Sequence, residues 1–248
     1  MATQRMTTRD GRQIAYERTP GTGPGVVFLG GFRSDMTGTK AVHLQDWAQR
    51  TGRAFVRFDY SGHGRSGGDF EAGCIGDWLA DARAVLDLAT GRQVLVGSSM
   101  GGWIALLLAR AVPERVAGLV GVACAPDFTE DLMWARFSAR QRAEVLGQGW
   151  TFEPSDYGAP HPVTRRLIED GRDHLVLRGP LALPFAVRLL QGTADRDVPP
   201  DVALRLMGHA DCRDLRLTLV KGADHRFSTP DCLDVMVRAV EEVAACAG

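Results

Sequence analysis

The motif G-S-S-M-G at residues 97–101 has the residue types and spacing that best suit catalytic chemistry. An apolar run at residues 93–96 precedes it, and a run typical of a helix follows at residues 102–110. The central Ser99 is therefore predicted to stand on a sharp strand-to-helix turn, with its hydroxyl exposed above the sheet edge. The flanking glycines avoid a Cβ clash there, and the helix aims its first N–H groups at the same point. We predict that Ser99 is a nucleophile; the alternative is an ordinary glycine-rich turn.

A serine nucleophile needs a histidine that takes its proton and a carboxylate that orients that histidine. Asp195 follows a predicted strand at residues 185–190, and His225 follows the next one at residues 214–220. Sites in parallel sheets lie at the carboxyl ends of the strands, so these three side chains are expected to meet. We predict that Ser99, Asp195 and His225 are the nucleophile, the acid and the base.

Two alternatives stay open for the partners of the serine. Asp197 follows the same strand as Asp195 and competes with it, although Asp195 falls in the first turn after the strand. His63 lies in a loop that borders the predicted site and is an alternative base.

The negative oxygen that forms during acyl transfer needs preorganised N–H donors. The N–H of Met100, directly after the nucleophile, is one candidate. The second is the N–H of Phe32, because Gly30 and Gly31 let the backbone approach closely after the apolar run at residues 26–29. The alternative is a tight glycine turn without a catalytic role.

Short apolar runs alternate with helical patterns along most of the chain, which predicts an α/β fold with a mostly parallel sheet and helices on both faces. The predicted strands are residues 3–7, 13–18, 26–29, 54–58, 93–96, 116–124, 185–190 and 214–220. The predicted helices outside residues 126–184 are residues 39–51, 75–89, 102–110, 200–208 and 230–246.

The alternation breaks between residues 126 and 184, where no buried strand is visible. Residues 128–147 and 163–173 have helical patterns, and residues 149–162 are rich in aromatics and proline. An insertion of this size after a sheet strand is typical of a cap or lid over a site. We predict one domain over residues 1–248 that contains this cap; the alternative is a surface excursion without function.

Composition excludes several classes of function. The chain has 248 residues and a net charge of −1, so nothing indicates a nucleic-acid or membrane-surface patch.

Five scattered cysteines argue against a disulfide framework and for a reducing compartment. The first residues lack a signal-peptide pattern and no apolar run is long enough to span a membrane, so a cytoplasmic protein is expected. No metal cluster or phosphate loop is recognised and no cofactor is expected, whereas a homodimer is left open.

The motif D-x-x-G-x-G-x-S at residues 59–66 resembles the glycine loop of the α/β-hydrolase superfamily. Four further motifs are more specific: G-F-x-S-D-M-x-G-x-K-A at residues 31–41, R-F-D-Y-S-G at 57–62, V-G-S-S-x-G-G-W at 96–103 and D-H-R at 224–226. In these motifs the chain resembles the α/β-hydrolase-domain family of palmitoyl-protein thioesterases and acyl-glucuronide esterases. This resemblance implies that Ser99, Asp195 and His225 hydrolyse acyl thioesters or activated acyl esters. The chain starts directly at its first strand, so organelle targeting is not carried over, and the cap is the least similar part.

An acyl pocket is expected between the cap and the sheet edge. Trp103, at the helix start beside Ser99, is the strongest candidate for its wall, and plain core packing is the alternative for every candidate. The apolar candidates are Phe32, Met100, Trp103, Met133, Trp134, Phe137, Trp150 and Phe152.

We therefore expect a serine esterase or thioesterase that works through an acyl-enzyme on a small-molecule or S-acylated substrate. A general carboxylesterase, an acyltransferase, a cofactor-free haloperoxidase or a C–C bond hydrolase would use the same residues, because fold and triad do not fix the reaction. A serine at position 99, on the strand-to-helix turn, argues against dehalogenases and epoxide hydrolases, which need an aspartate at that position. A non-catalytic ligand-binding relative would not need all three residues.

Overall fold

The computed structural model describes residues 2–153 and 160–247. Ten strands and seven α-helices are found in that part of the chain. The strands are β1 (Gln4–Thr7), β2 (Gln13–Thr19), β3 (Thr22–Leu29), β4 (Arg53–Phe58), β5 (Gln93–Ser98), β6 (Val116–Val122), β7 (Trp150–Glu153), β8 (His161–Thr164), β9 (Val187–Gly192) and β10 (Leu215–Val220). The helices are α1 (Thr39–Thr51), α2 (Ile75–Leu86), α3 (Met100–Ala111), α4 (Ala139–Gln148), α5 (Arg165–Asp173), α6 (Pro200–His209) and α7 (Pro230–Ala245).

The main sheet has eight strands in the order β1-β2-β4-β3-β5-β6-β9-β10. The N-terminal β1 and β2 pair antiparallel with each other, and β2 pairs antiparallel with β4. All other neighbours in this sheet are parallel. The predicted α/β architecture with a mostly parallel sheet is confirmed, and the carboxyl ends of β3, β5, β9 and β10 share one edge of the sheet.

The core lies on both faces of the sheet because strand side chains alternate between the faces. On β3, Val27 and Leu29 belong to the cluster that contains α2 and α3, whereas Val26 and Phe28 belong to the cluster that contains α1 and α7. Burial on both faces explains why the central strands read as continuous apolar runs.

The insertion between β6 and β9 differs from its predicted secondary structure. The expected helix over residues 128–147 is two pieces, a π-helical segment at Thr129–Trp134 and α4. The break falls at Ser138, whose hydroxyl accepts from the N–H of Gln141 while the Gln141 side chain accepts from the Ser138 N–H. This capping box starts a new helix.

A small antiparallel hairpin of β7 and β8 occupies a stretch for which the sequence predicts no strand. Helix α5 therefore begins at Arg165 and not at residue 163, with Thr164 as its cap, since the Thr164 hydroxyl accepts from the N–H of Leu167. Residues 154–159 of the predicted aromatic and proline-rich stretch lie outside the described residues.

Asp127 fastens the two ends of the insertion to each other. Its carboxylate is fully buried and accepts from the N–H groups of Val176 and Leu177 at 2.8 and 3.0 Å and from the Arg178 guanidinium at 2.9 Å. Its own backbone is left-handed, with φ of 57°. The insertion is thus closed at its base beside the sheet edge.

No helix in the described ranges combines the length and the apolar character that a membrane span requires. The five cysteines of the chain are all free thiols.

Candidate active site

Ser99 stands on the turn between β5 and α3 in a strained conformation, with φ of 54° and ψ of −118°. Three backbone hydrogen bonds hold it there: its N–H donates to the carbonyl of Val122, and its own carbonyl accepts from Gly102 and Ala125. Strain of this kind costs about 1–3 kcal/mol and persists only where the surroundings fix it. The turn presents the serine hydroxyl at the carboxyl end of β5.

The glycines around Ser99 are required by close backbone contacts. A Cβ on Gly97 would lie 2.3 Å from the carbonyl oxygen of Gly101, and a Cβ on Gly101 would lie 2.1 Å from the carbonyl oxygen of Leu29. Both distances are far inside van der Waals contact. The motif at residues 97–101 therefore packs the turn that carries Ser99 directly onto the end of β3.

The structure brings the predicted nucleophile, base and acid together. Nε2 of His225 lies 3.2 Å from Oγ of Ser99, and Nδ1 of His225 lies 2.9 Å from Oδ2 of Asp195. Asp195 is 5% exposed and His225 is half-buried. Because a carboxylate can only accept, Nδ1 of His225 carries the proton and Nε2 is free to accept the serine proton. This arrangement is suited to nucleophilic attack by Ser99.

Asp195 is held by hydrogen bonds to both of its oxygens. Oδ1 accepts from the N–H groups of Asp197 and Val198 at 3.0 and 2.9 Å, and Oδ2 accepts from the side chain of Gln191 at 3.0 Å as well as from His225. Gln191 is fully buried near the end of β9 and is missing from the site residues that the sequence predicts. A polar side chain directly after the apolar pair Leu189 and Leu190, at the carboxyl end of the strand, is the sequence signal that points to it.

The same region also contains a group with the spacing of metal ligands. Asp195, Asp197 and His225 each offer a ligand atom, and these atoms lie within 4.8 Å of one another. Both oxygens of Asp195 and one nitrogen of His225 are already engaged in hydrogen bonds. The group therefore fits an orienting carboxylate and its histidine better than a cation.

The loop after β3 runs beside the serine. A Cβ built on Gly31 would lie 3.4 Å from Cβ of Ser99, so the backbone that leads into Phe32 passes close to Ser99. Met100 is the first residue of α3, where helix N–H groups have no partner within the helix. These positions bring the N–H groups of Phe32 and Met100, the predicted oxyanion donors, to the vicinity of Ser99.

His63, the alternative base, is engaged elsewhere. Its Nδ1 lies 3.1 Å from the carbonyl of Ser61, and its Nε2 accepts from the N–H of Arg33 at 3.3 Å. Both ring nitrogens are thus occupied by backbone groups. His225 therefore remains the histidine that faces the serine.

Lys40, at the start of α1, reaches the loop that carries His225. Its ammonium group donates to the carbonyl oxygen of Arg226. Burial lowers the pKa of Lys40 to about 8, although nearby Asp224 favours its charged form. The lysine belongs to the motif at residues 31–41, and its link to the histidine loop could not be read from the sequence.

The structure places the predicted pocket residues in several different surroundings. Trp103 is fully buried, stacks edge-on against Phe128 at 5.5 Å and donates its indole N–H to the carbonyl of His174 at 3.1 Å. Phe128 also contacts the ring of Phe32 at 5.7 Å. Trp103 thus ties α3 to the residues that follow α5 in the insertion, and the rings of Phe32 and Phe128 contact each other beside the loop after β3. Met100 and Met133 are buried in the same core cluster.

Trp134 and Phe137 lie within the insertion, in edge contact at 6.1 Å. The Trp134 indole is half-buried, with the guanidinium groups of Arg142 and Arg172 at 5.5 and 4.8 Å from its ring. Phe137 is buried in the core. Cation–π contacts of this kind help to hold Trp134 within the insertion. The substrate-binding role of Trp134 and Phe137 stays a prediction.

Trp150 and Phe152 are the most exposed of the aromatic pocket candidates, and their role in substrate binding stays a prediction. They are 40% and 53% exposed and pack on each other at 5.0 Å, whereas Thr151 between them is buried. Alternation along β7 places both rings on one face of the hairpin, which is the face exposed to solvent. The apolar type of these residues predicted burial, but the period of the strand decides which way they point.

Comparison with known proteins gives a consistent relationship. Residues 26–245 match the model of the alpha/beta hydrolase family. The mitochondrial palmitoyl-protein thioesterase ABHD10 of Homo sapiens is 34% identical over 233 residues, which cover 93% of this chain and 76% of that protein. Among solved structures, a putative hydrolase from Agrobacterium vitis S4 is 44% identical with a TM-score of 0.94, and alpha/beta hydrolase domain-containing protein 10 from mouse is 32% identical with a TM-score of 0.91. Each alignment covers 98% of both chains.

Proposed function

The chain belongs to the alpha/beta hydrolase family, and from that premise we propose that it is a serine hydrolase that cleaves acyl thioesters or activated acyl esters. The observation that carries the proposal is the continuous chain of contacts from Ser99 Oγ through His225 to Asp195, with distances of 3.2 and 2.9 Å. Similarity to thioesterases over 93% of the chain supports the thioester class.

The proposed reaction runs through an acyl-enzyme. Ser99 Oγ attacks the acyl carbon while Nε2 of His225 takes its proton, and Asp195 stabilises the imidazolium that forms. The carbonyl oxygen becomes negative and is stabilised by the N–H groups of Phe32 and Met100, at about 3 kcal/mol of barrier for each donor. The leaving group departs and takes the proton from His225, which leaves the imidazole neutral. Nε2 of His225 then takes a proton from a water that attacks the acyl-enzyme, and that proton passes to Ser99 Oγ as the acid is released.

A thioester suits this arrangement because its leaving group is a thiolate. A thiol has a pKa of about 8.5, so the thiolate departs with little help from a general acid. The rings of Phe32 and Phe128 contact each other next to the proposed oxyanion donor Phe32, and this apolar surface fits the acyl side of the substrate. Activated oxygen esters, such as acyl glucuronides, have a better leaving group than simple alkyl esters and are the second substrate class of the same site.

The cytoplasmic location stays a prediction for this chain. The similar thioesterases have "mitochondrial" in their names, and that word describes those proteins. The proposed partner is the acylated substrate itself, and a homodimer likewise stays a prediction.

The test is a matched series of acyl thioesters and acyl oxygen esters, from two to sixteen carbons, with kcat/KM measured for the wild type and for Ser99→Ala. We expect activity on thioesters that is lost in Ser99→Ala by about a thousandfold or more. Activity confined to oxygen esters would keep the serine mechanism and reject the thioester assignment. Full activity of Ser99→Ala would reject the proposal.

A further inference from the structure

The loop after β3, which carries the proposed oxyanion donor Phe32, contains a strained turn that its own sequence does not favour. The N–H and the hydroxyl of Ser34 both donate to the carbonyl of Gly31, at 3.2 and 2.8 Å, so residues 31–34 form a tight turn. Arg33 occupies the third position of this turn with φ of 58°. That position ordinarily favours glycine, because a side chain there strains the backbone. A contact from outside the turn must therefore hold Arg33 in this conformation.

His63, in the loop after β4, makes this contact. Nε2 of His63 lies 3.3 Å from the backbone nitrogen of Arg33, and Nδ1 lies 3.1 Å from the carbonyl oxygen of Ser61. An N–H can only donate and a carbonyl can only accept, so the proton is on Nδ1 and Nε2 is an acceptor. The two backbone groups fix the tautomer of the ring.

The ring of His63 is itself immobilised. It is 4% exposed, and burial lowers its pKa, which keeps Nε2 unprotonated and able to accept. The guanidinium of Arg33 lies 5.0 Å from the centre of the Phe70 ring, so the arginine is held through its side chain as well as its backbone. Edge-on aromatic contacts surround the imidazole at 4.9 to 5.6 Å, from Tyr60, Phe70 and Trp78.

We propose that His63 is a positioning residue for the oxyanion hole: by accepting from the Arg33 N–H, it fixes the turn that aims the neighbouring Phe32 N–H at the reacting carbonyl oxygen. The proposal rests on the proposed function of the site. His63 does not touch the substrate and acts through one backbone hydrogen bond. Its loss therefore weakens transition-state stabilisation and leaves ground-state binding in place.

Two variants separate this role from packing. His63→Phe keeps a ring of similar volume among the same aromatics and removes the acceptor. His63→Gln keeps an acceptor oxygen near the position of Nε2. Both are compared with the wild type in kcat and KM on a short acyl thioester, in the rate at which a fluorophosphonate labels Ser99, and in melting temperature.

For His63→Phe we expect kcat and the rate of Ser99 labelling to fall by about 10- to 100-fold, since a displacement of about 1 Å in such a site has that effect. KM should stay within about twofold of the wild type. His63→Gln should recover most of the lost kcat. The activities of the two variants are not expected to follow their melting temperatures.

The proposal is overturned if His63→Phe keeps the kcat and labelling rate of the wild type, or if both variants lose activity equally and in step with melting temperature. A wild type in which fluorophosphonate does not label Ser99 would instead overturn the proposed function and this inference with it. The labelling readout needs no knowledge of the natural substrate, so the two failures are distinguishable.

Discussion

The backbone N–H of Asp197 donates to Oδ1 of Asp195 at 3.0 Å, so the two carboxylates that follow β9 have different surroundings. Asp195 is buried and faces His225 with its other oxygen, whereas Asp197 is half-buried and supports Asp195 through its backbone. The sequence left these two residues as competitors. Their positions favour Asp195 as the orienting acid.

Asp195→Asn is expected to lower kcat by about 10⁴-fold, because an amide in place of the carboxylate favours the wrong tautomer of His225. Asp197→Asn leaves the backbone donor intact and is expected to lower kcat by less than about tenfold. Steady-state kinetics on one acyl ester checks both. Equal losses in the two variants would contradict the assignment of Asp195.

Gly101→Ala is expected to destabilise the protein by about 3 kcal/mol, because the new Cβ would meet the carbonyl oxygen of Leu29 at 2.1 Å. Gly147→Ala is the matched control. Gly147 lies in α4, and a Cβ added there would have nothing within 4 Å, so alanine should stabilise the helix by about 0.5–1 kcal/mol. Urea unfolding of both variants measures the two free energies. The same sign for both would show that the close contact does not control stability.

The stability of the wild type relative to Lys40→Met is expected to rise as pH increases from about 8 to 10.5. Burial lowers the pKa of Lys40 to about 8 from an ordinary value of 10.5, so in this window the unfolded chain retains a proton that the folded chain has released. The slope is up to about 1.4 kcal/mol per pH unit.

Urea unfolding at a series of pH values measures this difference. Lys221→Met is the matched control, because Lys221 is the other lysine of the chain and is exposed. A difference between wild type and Lys40→Met that does not change with pH would show that burial of the ammonium group does not control its titration.

Asp127→Asn is expected to destabilise the base of the insertion by about 1–3 kcal/mol, because the amide group offers one acceptor fewer to the N–H groups of Val176 and Leu177 and to Arg178. Hydrogen exchange should quicken at Val176 and Leu177. Asp173→Asn, at an exposed position at the end of α5, is the control and should leave exchange unchanged. Unchanged protection in Asp127→Asn would show that the ends of the insertion are held by other contacts.

The sheet and its flanking helices could be predicted because their signals are local. The apolar runs of β3 and β5 need burial on both faces, and α1 has the bounds that its pattern predicted, Thr39–Thr51. The positions of Ser99, Asp195 and His225, each directly after a predicted strand, were enough to expect them at one edge of the sheet. Their catalytic roles stay predictions until they are tested.

The remaining features depend on contacts between distant parts of the chain. The hairpin of β7 and β8 consists of two four-residue strands, too short for a clear alternating pattern. The role of His63 depends on an N–H thirty residues away at Arg33, and Lys40 meets Arg226 across 186 residues. Neither pair has a sequence pattern, because the fold alone brings its members together.

The central claim is that Ser99 is the nucleophile activated by His225. The most direct measurement is fluorophosphonate labelling, with the modified peptide mapped by mass spectrometry, in the wild type, Ser99→Ala, His225→Ala and the neighbouring control Ser98→Ala. The account predicts one label on Ser99 in the wild type and in Ser98→Ala, no label in Ser99→Ala, and labelling slowed by about a thousandfold or more in His225→Ala. A label on another serine, or undiminished labelling without His225, would contradict it.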